Sequence, residues 1–141
     1  INLINKTIIF MKNFFSKYKS IFFLLNLILI FLYLFPGNIL GWVVYDDFSS
    51  QPQITPDFIV SSNHVYAFLI VSIIGFLTYK NSIGKLLLSM YLILLSIVLE
   101  ISHLFIPERS FQFSDLFGNL LGVAIMLIIN LFLKKYENFK N

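Results

Sequence analysis

The chain has 141 residues, of which 58% are hydrophobic, 18% aromatic and only 12% charged, with 17 Phe and no Cys. A soluble domain carries about 25% charged residues, so too little charge is present to cover a water-facing surface. That excludes a soluble enzyme and a disordered chain, and the lack of cysteine excludes a disulfide-stapled module and thiolate metal sites.

In chain order, residues 1–20 form a basic segment with Lys6, Lys12, Lys17 and Lys19. Met11 followed by Lys12 is a candidate start, which would make residues 1–10 an upstream extension without a role in the fold. Four apolar runs follow, each near the 20 or so residues (roughly 17–25) that a membrane-crossing helix requires. The first, Ile21 to Phe35, has Asn26 as its one clearly polar member and is interrupted by Pro36-Gly37. It is short, and is expected to borrow Tyr18 to Ser20 or the stretch beyond Pro36. A signal-peptide reading fails because Phe35-Pro36-Gly37 is a poor cleavage site.

Gly37 to Ser62 is a long connection carrying Trp42, Tyr45, Phe48 and Phe58. It reads as a loop lying against lipid headgroups, or as a lid over an outer site with Asp46-Asp47 available to a cation. The second run, Val65 to Tyr79, is followed by a short polar turn (Lys80, Asn81, Ser82, Gly84, Lys85) that sends the third run, Leu86 to Ile106, back antiparallel. Pro107 is expected to end that run by removing a backbone donor. The fourth, Leu116 to Leu133, stops at Lys134-Lys135 and leaves a basic tail over residues 134–141.

The runs are continuous, without the period-two alternation of a membrane barrel, so the fold class is all-α: a polytopic four-transmembrane-helix bundle over residues 21–133. All nine lysines fall on one side of that arrangement, and Arg109, the only arginine, falls on the other with Asp46, Asp47, Asp57, Glu108 and Asp115. The positive-inside rule makes the lysine side, with both termini, cytoplasmic. The net charge of +3 is then a label of membrane side, and no basic stripe remains for nucleic acid.

Glu100 is the only acid within an apolar run. It lies about 9 Å below the outer end of the third span, where an ionisable group is a functional hypothesis by default. Ser96 and His103, four before and three after it, share its helix face, which is expected to point into the bundle. On the fourth span Asp115, Asn119 and Gly122 share a face, with Gly118 beside them permitting close backbone approach. The two faces are expected to meet beneath Arg109, whose planar fork pairs with Glu100 or Asp115 or grips a phosphate or carboxylate. Glu100 with His103 has the makings of an acid–base pair. No nucleophile elbow or phosphate loop is present, and two histidines, His64 and His103, are too few to argue for zinc, so no cofactor or metal is expected.

The stretch Glu100-Ile-Ser-His103-Leu-Phe-Ile-Pro107-Glu-Arg109-Ser110-Phe111, followed by Asp115, Asn119 and Gly122, resembles the signature of the VanZ-like family of small bacterial membrane proteins. In that family a Glu ends an apolar helix, a polar residue, commonly Gln, follows three positions on, and a Pro-x-Arg turn precedes an Asp and an Asn four apart. His103 takes the place of the Gln. Before the second span, members often carry Asp-Lys-x-x-His-Phe, where this chain has Asn63-His64-Val65-Tyr66-Ala67-Phe68. The acid has become an amide, the lysine a histidine and the histidine an alanine.

The resemblance implies a multi-pass protein of the bacterial cytoplasmic (inner) membrane, linked through the family's name to teicoplanin-type glycopeptide resistance. The expected partners are membrane lipids and a lipid-linked or cell-wall precursor, with an oligomer or a membrane-protein partner also open. As a binding protein it would use Glu100, His103, Arg109, Asp115 and Asn119, with Pro107, Gly118 and Gly122 as structural residues. As an enzyme on a phosphate- or ester-linked envelope lipid it would use Glu100 or Asp115 as base and Arg109 to stabilise negative charge. As a packing subunit of a complex, the cluster would only lock helices.

Overall fold

The structure, a computed structural model, describes residues 2–140, with side chains described for residues 6, 18–81 and 83–139. Among them the chain forms five helices: α1 (Asn2–Leu34), α2 (Ile39–Tyr45), α3 (Ser62–Thr78), α4 (Ser82–Ser102) and α5 (Phe113–Lys140). By length and composition Ile83–Ser102 and Phe113–Phe139 can cross a membrane, and a third crossing is available if Tyr18–Leu34 and Ile39–Tyr45 form one broken span. Those two segments bend by 83° at the break, and Ser62–Thr78 is a shorter apolar helix.

Local chemistry accounts for the boundaries. Pro36 has no amide hydrogen to continue α1, and Gly37 turns the chain at φ 73, where a side chain would be strained. Asn38 then caps α2 by accepting the Gly41 amide at 3.0 Å, and Asp46 ends it in the left-handed conformation that a short polar residue tolerates. So the first run borrows residues upstream through Tyr18, whereas the stretch beyond Pro36 becomes a separate helix inside what reads in sequence as a loop. Asn81 caps α4 through the Gly84 amide.

Pro107 does not end α4. The helix stops at Ser102, and His103, Leu104 and Phe105 make tighter bonds back to the carbonyls of Glu100, Ile101 and Ser102. These one-residue-shorter bonds satisfy the orphan carbonyls before the proline is reached.

α4 states the environment most directly. Its exposed residues include Leu86, Leu87, Met90, Leu94 and Val98, while its buried face holds Ser96 and Glu100 with Leu88, Leu92 and Leu99. A water-soluble helix has the reverse polarity. The same inversion recurs on α1, where Leu27 and Phe31 are exposed while Asn26 is buried. Asn26 donates to the Phe22 carbonyl at 2.8 Å and accepts the Tyr91 hydroxyl at 2.8 Å, joining α1 to α4. An outer surface this apolar belongs in lipid, and the long helices are transmembrane in character.

α3 packs most closely on α5. A Cβ added at Gly118 would meet the Ser61 carbonyl oxygen at 2.7 Å, and one at Gly122 would meet Val65 O at 2.5 Å and Leu69 N at 2.8 Å. This Gly-x-x-x-Gly ridge lets two backbones touch, the close packing on which helix association in lipid depends. The glycines therefore face α3, not α4. Phe68 and Val123 fill the space beside them, and Phe22 meets Tyr79 edge-on with ring centroids 5.8 Å apart. At the opposite end from the glycines, Lys85 Nζ donates to Asn130 Oδ1 at 2.7 Å.

Because rigid backbone fills the space around Gly122, Gly122→Val forces α3 and α5 apart. The expected cost is about 1–3 kcal/mol, read as a lower thermal midpoint in detergent with helical content retained below it.

Candidate functional site

The C-terminal ends of α1 and α4 meet the N-terminal ends of α3 and α5 around a buried polar cluster. Glu100 and Asn119 are both 0% exposed, and His103 and His64 are buried with them. Tyr33, in the last turn of α1, is the hub. Its hydroxyl donates to Asn119 Oδ1 at 2.5 Å and lies 2.8 Å from His64 Nδ1. Its carbonyl lies 3.1 Å from His103 Nε2, and its ring stacks on His103 at 5.7 Å.

Donor counting constrains where the protons of this cluster lie. A carbonyl only accepts, so His103 Nε2 donates to Tyr33 O, and the 3.3 Å contact between His103 Nδ1 and Glu100 Oε1 needs a second proton held between those two groups. Tyr33 spends its one hydroxyl proton on Asn119 Oδ1, which is also 3.1 Å from His64 Nδ1. His64 Nδ1 thus lies between two oxygens, and its Nε2 faces Asp115 Oδ2 at 3.5 Å.

Glu100 Oε1 also accepts the Gln112 backbone amide at 3.0 Å, which fixes the chain just before α5. Its second oxygen, Oε2, is buried without a partner, as is Asn119 Nδ2. Asp115 is more lightly held, with Ser114 Oγ at 3.4 Å besides His64. Its place in the first turn of α5 puts a negative charge at the positive end of that helix.

Arg109 pairs with neither acid. Nε donates to Phe35 O at 3.1 Å and Nη2 to Leu32 O at 2.8 Å, so the guanidinium caps the C-terminal end of α1, where a cation complements the helix dipole. Nη1 makes no hydrogen bond among the described residues. Burial lowers the Arg109 pKa, partly opposed by Tyr33, Glu100 and Asp115, but guanidinium starts so high that the charge persists.

Two adjacent cavities open at this end. One, about 330 Å³, is polar, with Arg109, Gln112, Asp115, Glu108, His64 and His103 in its wall. The other, about 350 Å³, is mostly apolar, with Leu29, Leu32, Ala67 and Ile70 among the residues between α1 and α3. Asn38, Gln51, His64, His103 and Arg109 line both. Leu40 and Ile70 in the apolar wall are exposed, so that cavity reaches the outer surface.

The expected convergence of the Glu100 and Asp115 faces is present, bridged by Tyr33, His64 and Gln112. Pro107 and Glu108 lie in the exposed turn between α4 and α5, where Glu108 takes φ 61. Tyr33 and Gln112 carry no sequence signal, because one is an aromatic in an apolar run and the other contributes its backbone. His64 belongs to the cluster, where its place at a helix start equally suggests a solvated residue. Asp47 accepts Ser50 Oγ at 2.5 Å and Ser49 Oγ at 2.7 Å, hydrogen bonds that hold its carboxyl below the ordinary aspartate range. It closes the turn after α2 and stays outside both cavity walls.

Comparison of the chain with family models, with curated proteins and with solved structures found no match.

Tyr33→Phe removes the hydroxyl shared by His64 and Asn119 and should cost about 1–2 kcal/mol of stability. Combined with Asn119→Ala the loss should be less than additive, since both changes cut one network; thermal unfolding of the four proteins checks this.

Proposed function

We propose that this protein is a VanZ-like, multi-pass protein of a bacterial cytoplasmic membrane that binds an anionic amphiphile at its outer face. α1, α3, α4 and α5 supply the four crossings, with both termini inside. The observation that carries the reading is the pairing of cavities: a polar chamber with Arg109 in its wall, sharing wall residues with an adjoining apolar cleft between α1 and α3. A lipid-linked or cell-wall precursor has that chemistry, with an acyl or polyprenyl chain for the cleft and a phosphate or carboxylate for the chamber. Arg109, with Nη1 uncommitted, takes the anionic group, while Glu100, His103, Asp115 and Asn119 hold the chamber's shape. Such a role would bear on glycopeptide susceptibility of the teicoplanin type by altering the availability of a precursor.

Positive-inside logic supports the orientation. The cluster lies at the end of the bundle away from Lys80, Lys85, Lys134 and Lys135. What argues against a mere structural lock is the open space beside the polar residues, since a cluster serving only to pin helices would close on itself. The imidazole–carboxylate contacts, His103 with Glu100 and His64 with Asp115, favour a second reading: an enzyme on a phosphate- or ester-linked envelope lipid, with Glu100 or Asp115 as base.

Ser110→Cys should react with a membrane-impermeant maleimide added to intact spheroplasts. Labelling only after lysis would overturn the orientation and the outer site together. Dodecyl phosphate should bind the purified protein, dodecanol should bind at least 10-fold more weakly, and Arg109→Lys should lose at least 10-fold for the phosphate, because a point charge cannot both cap two carbonyls and meet an anion. Equal affinity for the two amphiphiles, measured by calorimetry in detergent, would sink the reading. Turnover of a phosphate-ester lipid that Glu100→Gln abolishes in a folded protein would establish the second one.

A further inference from the structure

One donor atom from each of His64, Glu100 and Asp115 lies within 4.8 Å of the other two. They come from the first turn of α3, the last turn of α4 and the first turn of α5, so three separate helices aim ligand-type atoms at one point. Two further observations set this group apart from a chance meeting of acids. Glu100 Oε1 is occupied by the Gln112 amide and by His103, whereas Oε2 is fully buried with no hydrogen-bond partner. A carboxylate oxygen left alone away from water is costly and calls for a partner. Second, His64 Nδ1 is engaged by Tyr33 and Asn119, which leaves Nε2 as the ring nitrogen that faces the Asp115 carboxylate. A hydrogen on Nε2 or a metal ion can join those two groups.

The geometry points to a divalent metal ion of the zinc or manganese class held by His64 Nε2, a Glu100 oxygen and the Asp115 carboxylate. Once the proton shared by Glu100 and His103 is released on binding, the two carboxylates neutralise a dication, and a mixed imidazole and carboxylate set suits these ions. Tyr33 and Asn119 act on His64 as outer partners do on metal-bound histidines, fixing the tautomer and the ring plane through the other nitrogen. Donors about 2.0–2.2 Å from an ion sit roughly 3–3.5 Å from one another, so the widest separation closes by about 1.5 Å. Asp115, at the cavity wall and lightly held, is the ligand able to make that shift. Three protein ligands leave a coordination position open, and His64 and Asp115 both border the polar cavity. An anionic group entering the chamber would meet the ion there.

This inference stands apart from the amphiphile reading, because the ion is measured without lipid. The 141-residue chain, purified in detergent and stripped with EDTA, is titrated separately with Zn²⁺ and Mn²⁺, and bound metal is counted after desalting. Expected is one equivalent per chain of at least one of the two ions, with binding at least 10-fold weaker in His64→Gln, Glu100→Gln and Asp115→Asn and unchanged in Asp46→Asn, whose carboxylate lies outside both cavities. Glu100 is buried, so its substitution can unfold the bundle; Asp115→Asn, at the cavity wall, and the visible spectrum of Co²⁺ bound to the unmutated protein carry the test without it. No stoichiometric metal on the unmutated protein, or a loss under 10-fold in folded Asp115→Asn, overturns the site. Metal binding intact while dodecyl phosphate fails to bind would remove the amphiphile reading and leave this one standing.

Discussion

Lipid offers no hydrogen bonds, so wherever a helix stops inside an apolar surround its last carbonyls and first amides must find partners within the protein. Tyr33 marks the place where α1 meets that constraint. Its carbonyl is taken by His103, and those of Leu32 and Phe35 are taken by Arg109. The same residue reaches His64 on α3 and Asn119 on α5 through its hydroxyl, while Glu100 on α4 holds the amide of Gln112 just before α5. Side chains from across the bundle thus satisfy the end of α1, and the chain is free to turn by 83° into α2. The break at Pro36-Gly37 and the polar cluster are one feature seen from two sides.

That feature explains why a bundle with an apolar exterior carries so much polarity within. Along α4 the outward residues include leucines, isoleucines, methionine and valine, while Ser96 and Glu100 are buried. The buried ionisable groups His64, Glu100 and His103 gather at one end, which leaves the middle of the bundle mainly to Phe68, Leu92 and Val123, and to the Gly118 and Gly122 contacts with α3. Tight glycine packing along α3 and α5 fixes where His64 and Asp115 stand relative to one another. Rigid helices from several directions are what a precise site requires.

Arg109 shows how one residue can hold both the fold and a site. Two of its nitrogens are spent on α1 carbonyls, yet its position in the walls of both cavities keeps a charge beside open space. A guanidinium can do both because its donors form a planar fork, whereas an ammonium offers a single point charge. The loop after α2 is organised by its own local bonds from Ser49 and Ser50 to Asp47, and the charged wall of the polar cavity comes from Asp115 at the start of α5 and from Glu108 and Arg109 in the turn before it.

The chain by itself determined what depends on local pattern. Continuous apolar runs meant helices, the low charge meant lipid, and the spacing of Ser96, Glu100 and His103 put all three on one inward face, where they are buried. Asp115 and Asn119 were legible in the same way, because helical periodicity is a property of neighbours in sequence. What lies between helices was not. Tyr33 looked like one more aromatic in an apolar run, Gln112 acts through a backbone amide that every residue possesses, and His64 became part of the cluster only because Gly118 lets α5 approach the start of α3. Arg109 could be read as a partner for acids, but it went to carbonyls more than seventy positions away, since a helix end in lipid leaves acceptors that only the folded bundle brings within reach.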